Sequence, residues 1–330
     1  MTNGAMSSAV GALASLPARA VEPFWKWAQR RLGMKALPWL FLLPNLLIIF
    51  TFALIPVAIN VVFSITGSDN LYPSQRPFIG LSNYRTLADC GNFLDPSTCS
   101  RDLFWRAVGN SLLFVPLQTL AMVGVALMTA IALNKKIRAR GFFRGVFFFP
   151  VMLSPVVVAM TWQWLLQRNG VLNAIISLFG ANRASWLADP NLAFFWSIFV
   201  TVWAHCGFFM IILLAGLQSI PTDVYEAAKM DRASPFRVFW KVTIPLLRPV
   251  LLVVFVLAVI RSVQTFDEIY VLTGGGPGSA TMLVVQYIYE TGFAQQPRNY
   301  GLAAAGSLIL GFVLLIFTLV QLRISRGEND

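Results

Sequence analysis

Charge is what this sequence has least of. Only 12% of its 330 residues are charged, against 57% hydrophobic, and the mean hydropathy is +0.69. A soluble domain carries about 25% charged residues. Half that share cannot coat a globular surface, so most of the surface faces something other than water. Disorder and a coiled coil are excluded by the same figures. Histidine occurs once, as His205, and cysteine three times, at 90, 99 and 206. That leaves no ligand set for a zinc site and no disulfide-dense scaffold. The patterns G-x-x-x-x-G-K-[ST], G-x-S-x-G and H-E-x-x-H are missing, so the chain lacks a phosphate cradle and a hydrolase centre of those kinds. No catalytic residue and no metal ligand is assigned. Gly274-Gly275-Gly276-Pro277 lacks a following lysine and reads as a tight turn.

What is present is apolar length. A membrane-spanning helix needs about 20 mainly apolar residues, and six stretches qualify: Trp39 to Ile65, Ser111 to Leu133, Val146 to Leu166, Leu192 to Leu217, Leu246 to Ile260 with a polar extension, and Gly301 to Leu322. They are too long for the alternating segments of an outer-membrane barrel. The expected fold is an all-α polytopic membrane protein with six transmembrane helices.

Lysine and arginine give the direction. They gather before the first span (Arg19, Lys26, Arg30, Arg31, Lys35), after the second and after the fourth, with Arg323 and Arg326 closing the chain. These four regions hold 17 basic and 6 acidic residues; the rest of the chain holds 8 of each. The whole excess of +11 therefore lies on one side, the cytoplasmic one, where anionic lipid accounts for it. Nucleic-acid binding is not needed. Both termini are placed inside, with residues 1–36 a basic segment, 37–323 the six-span domain and 324–330 a tail. The apolar run after residue 36 is too long for a cleaved signal.

Cys90 and Cys99 share the first outer loop, about 66–104. They form a disulfide in an oxidising compartment or remain two thiols. The bond is favoured, and closing a loop of this size contributes about 2.5–3 kcal/mol. His205, within the fourth span, is read as an interior residue with one hydrogen bond. Apart from it the first four spans carry no ionisable side chain, which disfavours an ion-coupled carrier.

The segment at about 220–245 is the most ordered of the cytoplasmic loops. Asp223 and Glu226 have the D-x-x-E spacing of an N-cap and its reciprocal acid. Ser234-Pro235 starts a second helix and Pro245 ends it before the fifth span. Val224, Ala227, Ala228 and Met230 make one small apolar face; Phe236, Phe239 and Trp240 make another. Such a knob calls for a protein partner or the bilayer surface, and the residues alone leave the two even.

Glu226-Ala227-Ala228 followed by Val242-Thr243-Ile244-Pro245 resembles the E-A-A loop of binding-protein-dependent ABC importer permeases. Arg232 stands at that family's glycine, so either the turn is looser or Asp231 takes the strained backbone. Phe78-Ile79-Gly80-Leu81-Ser82-Asn83-Tyr84, Phe149-Pro150 with Trp162-Gln163-Trp164, and Phe266 to Pro277 as an outer loop after span five resemble the carbohydrate-uptake branch, similar to maltose-type and glycerol-3-phosphate-type permeases.

The resemblance implies a non-enzymatic permease subunit of a bacterial inner-membrane importer for sugars or polyols, working by alternating access. It implies a second permease, two ATPase subunits holding ATP-Mg, and an external solute-binding protein. The chain itself binds no cofactor. Glu226, Ala227, Ala228, Asp231, Arg232 and Ser234 would couple to the ATPases. Trp162, Gln163, Gln264, Asp267 and Tyr270, which offer aromatic faces and hydrogen-bonding groups, would line the solute path. The rival is a self-contained secondary carrier or channel, which needs no ATPase. The charge pattern predicts that an impermeant thiol reagent labels a cysteine placed at Arg138 only from the cytoplasm, and labels reduced Cys90 and Cys99 only from outside. The reverse labelling would invert the topology.

Overall fold

The computed structural model describes Trp39 and residues 42–93, 95–135 and 137–326. The basic segment 1–36, Lys136 and residues 327–330 of the tail lie outside the described residues. The chain divides into two units, residues 1–62 and 63–330. In the first, the described chain is one apolar helix, α1 (Leu42–Ser64), whose last two residues belong to the second unit. Every residue from Leu42 to Ile59 is exposed.

The second unit runs through α2 (Ser82–Ala88) and the 33-residue α3 (Asp102–Asn134). A bent pair follows, α4 (Arg140–Met152) and α5 (Pro155–Leu165), then α6 (Val171–Leu178) and the 30-residue α7 (Pro190–Ser219). Next come α8 (Thr222–Met230), α9 (Pro235–Val263), α10 (Asp267–Thr273), α11 (Val284–Tyr289) and α12 (Tyr300–Arg326). Among the described residues there is no β-strand, only two isolated bridges, Thr66–Phe78 and Cys90–Cys99.

The core is where α3, α7 and α9 meet. Met122, Ala126, Ala130 and Leu133 of α3 pack with Met210, Leu213 and Leu217 of α7 and with Leu247, Val254 and Ala258 of α9. Small residues let the backbones approach, as between helices in lipid. A Cβ on Gly216 would lie 2.9 Å from Leu247 Cδ1, and one on Gly207 would strike the carbonyl of Phe147.

Four expectations are corrected. The third span is not one helix: α4 and α5 meet at 100°. Pro150, Ser154 and Pro155 cluster at the break, and Leu153 is extended. Hydropathy measures apolar length and is blind to such a bend. The second span begins at Asp102, nine residues before Ser111, because Asp102 and Arg106, an exposed i,i+4 pair 3.6 Å apart, extend the helix beyond its apolar stretch. Pro245 does not end a helix; α9 runs unbroken from Pro235 to Val263. A π-turn at Phe239–Thr243 precedes it, and the Ile244 N–H bonds back to the Phe239 carbonyl. The wide turn leaves a proline next in line, which has no N–H to place. Helix α1 repeats the device, with a π-turn at Phe50–Leu54 before Ile55-Pro56.

The fourth correction concerns the stretch after α9. It is packed into the bundle rather than forming an outer loop. Ile269 and Leu283 pack with Phe114, Leu272 joins Val158, Val200 and Ala204, and Val284 and Tyr287 pack on Phe104 and Leu302. The apolar residues within this stretch are what drive it inward.

The stretch between α1 and α3 is tied to its neighbours by polar side chains. Arg76 donates from Nε to Thr66 Oγ1 at 2.9 Å and from Nη1 to Ser68 O at 2.8 Å, and it lies 4.5 Å over the Phe63 ring. Asn83 donates to Ser64 O at 2.8 Å. Cys90 and Cys99 are bonded, with Cα atoms 3.9 Å apart.

Gly207→Ala should destabilise the protein by about 1–3 kcal/mol, because the Phe147 backbone has to move. Gly109→Ala, whose added methyl meets nothing within 4 Å, should be neutral or mildly stabilising. Thermal unfolding in detergent reads both, and equal melting temperatures would contradict the close α7–α4 contact.

Candidate functional site

Helix α8 follows Pro221 and starts two residues earlier than its D-x-x-E spacing suggests. Pro221 is the N-cap and no side chain caps it. Asp223 instead lies in the first turn, where a carboxylate meets the positive end of the helix. The helix ends in a Schellman motif: Ala233 N–H donates to Ala228 O and Arg232 N–H to Lys229 O, both at 3.0 Å. This motif requires a left-handed residue just past the cap, usually glycine. Here Arg232 itself takes it, at φ 53°, while Asp231 stays at φ −74°. The turn is not loosened, and the strain falls on Arg232.

Ser234 caps α9, its hydroxyl accepting from Arg237 N–H at 3.4 Å. Tyr225 locks the two helices together. Its ring packs on the main core, and its hydroxyl lies 3.3 Å from Thr243 Oγ1. That inward face leaves the other side of the loop to solvent or a partner. Glu226, Ala227, Asp231, Arg232 and Ser234 are exposed and Ala228 is half-buried. Met230 is 84% and Phe236 75% exposed. Nearby, the Gln218 amide oxygen, turned toward them, accepts from Arg140 at 2.6 Å and Arg144 at 2.8 Å. This ties the end of α7 to the start of α4. The sequence contains Tyr225 and Gln218 but gives no sign of these partners.

A second polar cluster lies inside the bundle. His205 is midway along α7, Arg261 near the end of α9 and Glu268 in the first turn of α10. Glu268 Oε1 lies 2.8 Å from His205 Nε2 and 2.5 Å from Arg261 Nη2. The same Nη2 is 2.6 Å from His205 Nε2. The imidazole nitrogen either donates a proton to Glu268 or accepts one from Arg261. Glu268 is 1% exposed, and its Oε2 has no hydrogen-bond partner among the described residues. His205 thus has two polar neighbours, and Glu268 lies level with the middle of α7 rather than beyond the bundle. Sixty-three residues separate His205 from Glu268, which is why spacing gave no sign of the pair.

The residues expected to line a solute path sort into two groups. Gln163 of α5 donates to the carbonyls of Val271 and Leu272 in α10, at 3.3 and 3.4 Å. Gln264 and Asp267 are exposed, and Tyr270 is partly so. These four are gathered on and around α10. Trp162 is used for packing, its ring 5.2–5.8 Å from those of Trp196, Phe199 and Trp203. Tyr270 stacks on Phe266 at 5.2 Å and meets Tyr289 at 5.4 Å, so α10 carries aromatic faces beside polar groups. Among the described residues, no group of three His, Cys, Asp or Glu is placed to hold a metal ion.

Residues 122–328 match the family described as binding-protein-dependent transport system inner membrane component. The chain is 34% identical to the trehalose/maltose transport system permease protein MalF of Thermococcus litoralis, over 92% of this chain and 97% of that one. It is 32% identical to the multiple sugar-binding transport system permease protein MsmF of Streptococcus mutans, over 87% and 94%. The fold is similar to a chain in the crystal structure of a bacterial alginate ABC transporter in complex with alginate pentasaccharide-bound periplasmic protein. The TM-score is 0.75 at 24% identity, covering 93% of this chain and 98% of that one.

Arg232→Gly should raise stability by about 1 kcal/mol, since a side chain at left-handed φ carries a cost that glycine does not. Arg232→Ala should not raise it. Melting temperatures of the two variants decide. A drop with glycine would show that the guanidinium makes a contact worth more than the strain.

Proposed function

This chain belongs to the family of binding-protein-dependent transport system inner membrane components, and we propose that it forms the solute path of an ATP-driven importer for sugars or related polyols. The observation that carries the reading is the way α8 is held. An exposed nine-residue helix, closed by a Schellman motif and locked by Tyr225 to α9, projects small residues outward. A self-contained carrier has no use for such a surface, whereas an importer driven from outside its own chain needs one. The sugar permeases among its relatives support the solute class.

In this reading a second permease completes the path and two ATPase subunits hold ATP-Mg. An external binding protein delivers the solute. The basic segment 1–36 and the tail 324–330 face the cytoplasm, in keeping with the charge excess. ATP closes the ATPase pair, which draws α8 with it through Glu226, Ala227, Ala228, Asp231, Arg232 and Ser234. Because α8 is pinned to α9, the displacement enters the core where α9 packs on α3 and α7. Alternating access results when the two bundles rock. Gln163, Gln264, Asp267 and Tyr270 hydrogen-bond and stack against a sugar on its way, while Trp162 supports the wall from behind.

Ala228→Trp should lower uptake by about tenfold or more, since a large side chain keeps the helix from its seat, while insertion of the subunit stays intact. Uptake into vesicles containing the whole transporter and its binding protein measures the first, and membrane yield the second. Normal uptake in that variant would remove α8 from the coupling surface.

A further inference from the structure

We propose that Glu268 is a positioning residue that makes α10 follow α9: its carboxylate, shared between Arg261 of α9 and His205 of α7, is the clutch through which movement of the coupling end reaches the solute path. The proposal rests on the reading of α8 and α9 as the coupling elements.

Three observations carry it. First, α9 is continuous from the cap at Ser234 to Val263, about 43 Å at 1.5 Å per residue. Arg261 is in its last turn. Beyond Val263 the helix stops, and Phe266 sits at φ −142° and ψ −61° before α10 begins. The main chain therefore passes no helical rigidity from α9 to α10; the side chains of Arg261 and Glu268 bridge the gap. Thr265, between them, donates from Oγ1 to the Arg261 carbonyl at 3.0 Å and accepts from Gln118 Nε2 of α3 at 3.3 Å, so the linker is tied to α3 as well as to α9.

Second, the two partners of Glu268 lie on different spans and are unequal. The guanidinium is always charged and is a fork of several N–H donors; the imidazole Nε2 has at most one proton to give. The stronger bond is therefore the one to α9, and it competes with the apolar contacts of Leu272 on Val200 and Ala204 of α7 and Val158 of α5. Third, Glu268 is fully buried, and its Oε2 is unpaired among the described residues. A buried ion pair with an unmet acceptor is a poor way to gain stability compared with apolar packing. Its use is orientation. What it orients is α10, which holds Asp267 and Tyr270 and accepts from Gln163 of α5.

The test uses the complete transporter in vesicles with its binding protein, and reads solute moved per ATP hydrolysed. Glu268→Gln, which keeps the shape and removes the charge, should retain binding-protein-stimulated ATP hydrolysis. Solute per ATP should fall about tenfold, within the ordinary range of coupling between sites. His205→Gln should stay within about twofold of the parent, since the arginine remains. An unchanged ratio in Glu268→Gln overturns the proposal. So does a raised half-saturating solute concentration at unchanged ratio, which would make Glu268 a solute contact. If Glu268→Gln does not assemble, the double variant Arg261→Met, Glu268→Leu removes both charges together and is read in the same way. Ala228→Trp in the same vesicles separates the two claims. If it uncouples and the Glu268 variants do not, the clutch alone is wrong; if it remains fully coupled, both are.

Discussion

A helix in lipid cannot leave backbone N–H or C=O groups without partners, and the interruptions in this protein are organised by that rule. Where α1 and α9 meet proline, a π-turn arranges the carbonyls so that the next residue needs no donor. Where the chain leaves helix altogether, side-chain amides take over. Asn173 donates to the carbonyls of Gln167, Arg168 and Ala184 and accepts from Ala184 N–H and Trp186 Nε1. Asn110 donates to Ser279 O and Met282 O, and Asn83 to Ser64 O and Thr66 O. The glycine-rich stretch can fold inward because such side chains, with Thr273 and Thr281 (Oγ1 atoms 2.7 Å apart), satisfy it.

Apolar length and basic flanks made the helices legible. The ends of α7 lie two residues from those read off the sequence, because helix and apolar run coincide there. They part company in α3, where Asp102 to Asn110 are helical without being uniformly apolar. They part again between α4 and α5, where an apolar run conceals a right-angled bend. The segment at 220–245 was visible as a pattern of capping residues, small residues and prolines. The residue carrying the left-handed turn was not, because Asp231 tolerates that backbone better than Arg232 and only the bonds to Ala228 and Lys229 select Arg232. The Arg261–Glu268–His205 cluster was legible only as separate residues. Nothing local to 205 marks a partner 63 positions away; packing of α10 into the bundle creates the contact.

Stability and motion draw on different parts of the molecule. Alanines and glycines at the meeting of α3, α7 and α9 allow a dense, nearly featureless core, which resists change because its neighbours have nowhere to go. Polar links sit at its margins, at Tyr225–Thr243, Gln218 with the two arginines, and Glu268. Directional bonds between elements define discrete arrangements in a way that lipid-like packing does not.

The π-turn in α9 also sets the angular phase of the helix. At 3.6 residues per turn, positions eleven apart differ by about 20°, so in a regular helix Phe236 would share the stripe of Leu247 and, beyond it, Val254 and Ala258. Those three are fully buried, whereas Phe236 is 75% exposed. One extra residue in the turn at Phe239–Thr243 rotates the N-terminal part of the helix by about 100° relative to the part from Ile244 onward. A residue that an unbroken helical phase would turn toward the core stripe is thereby delivered to the outside of the protein, beside Trp240 at 6.3 Å. Deleting a single residue from that turn would swing the aromatic pair back toward the bundle axis without altering the composition of either face.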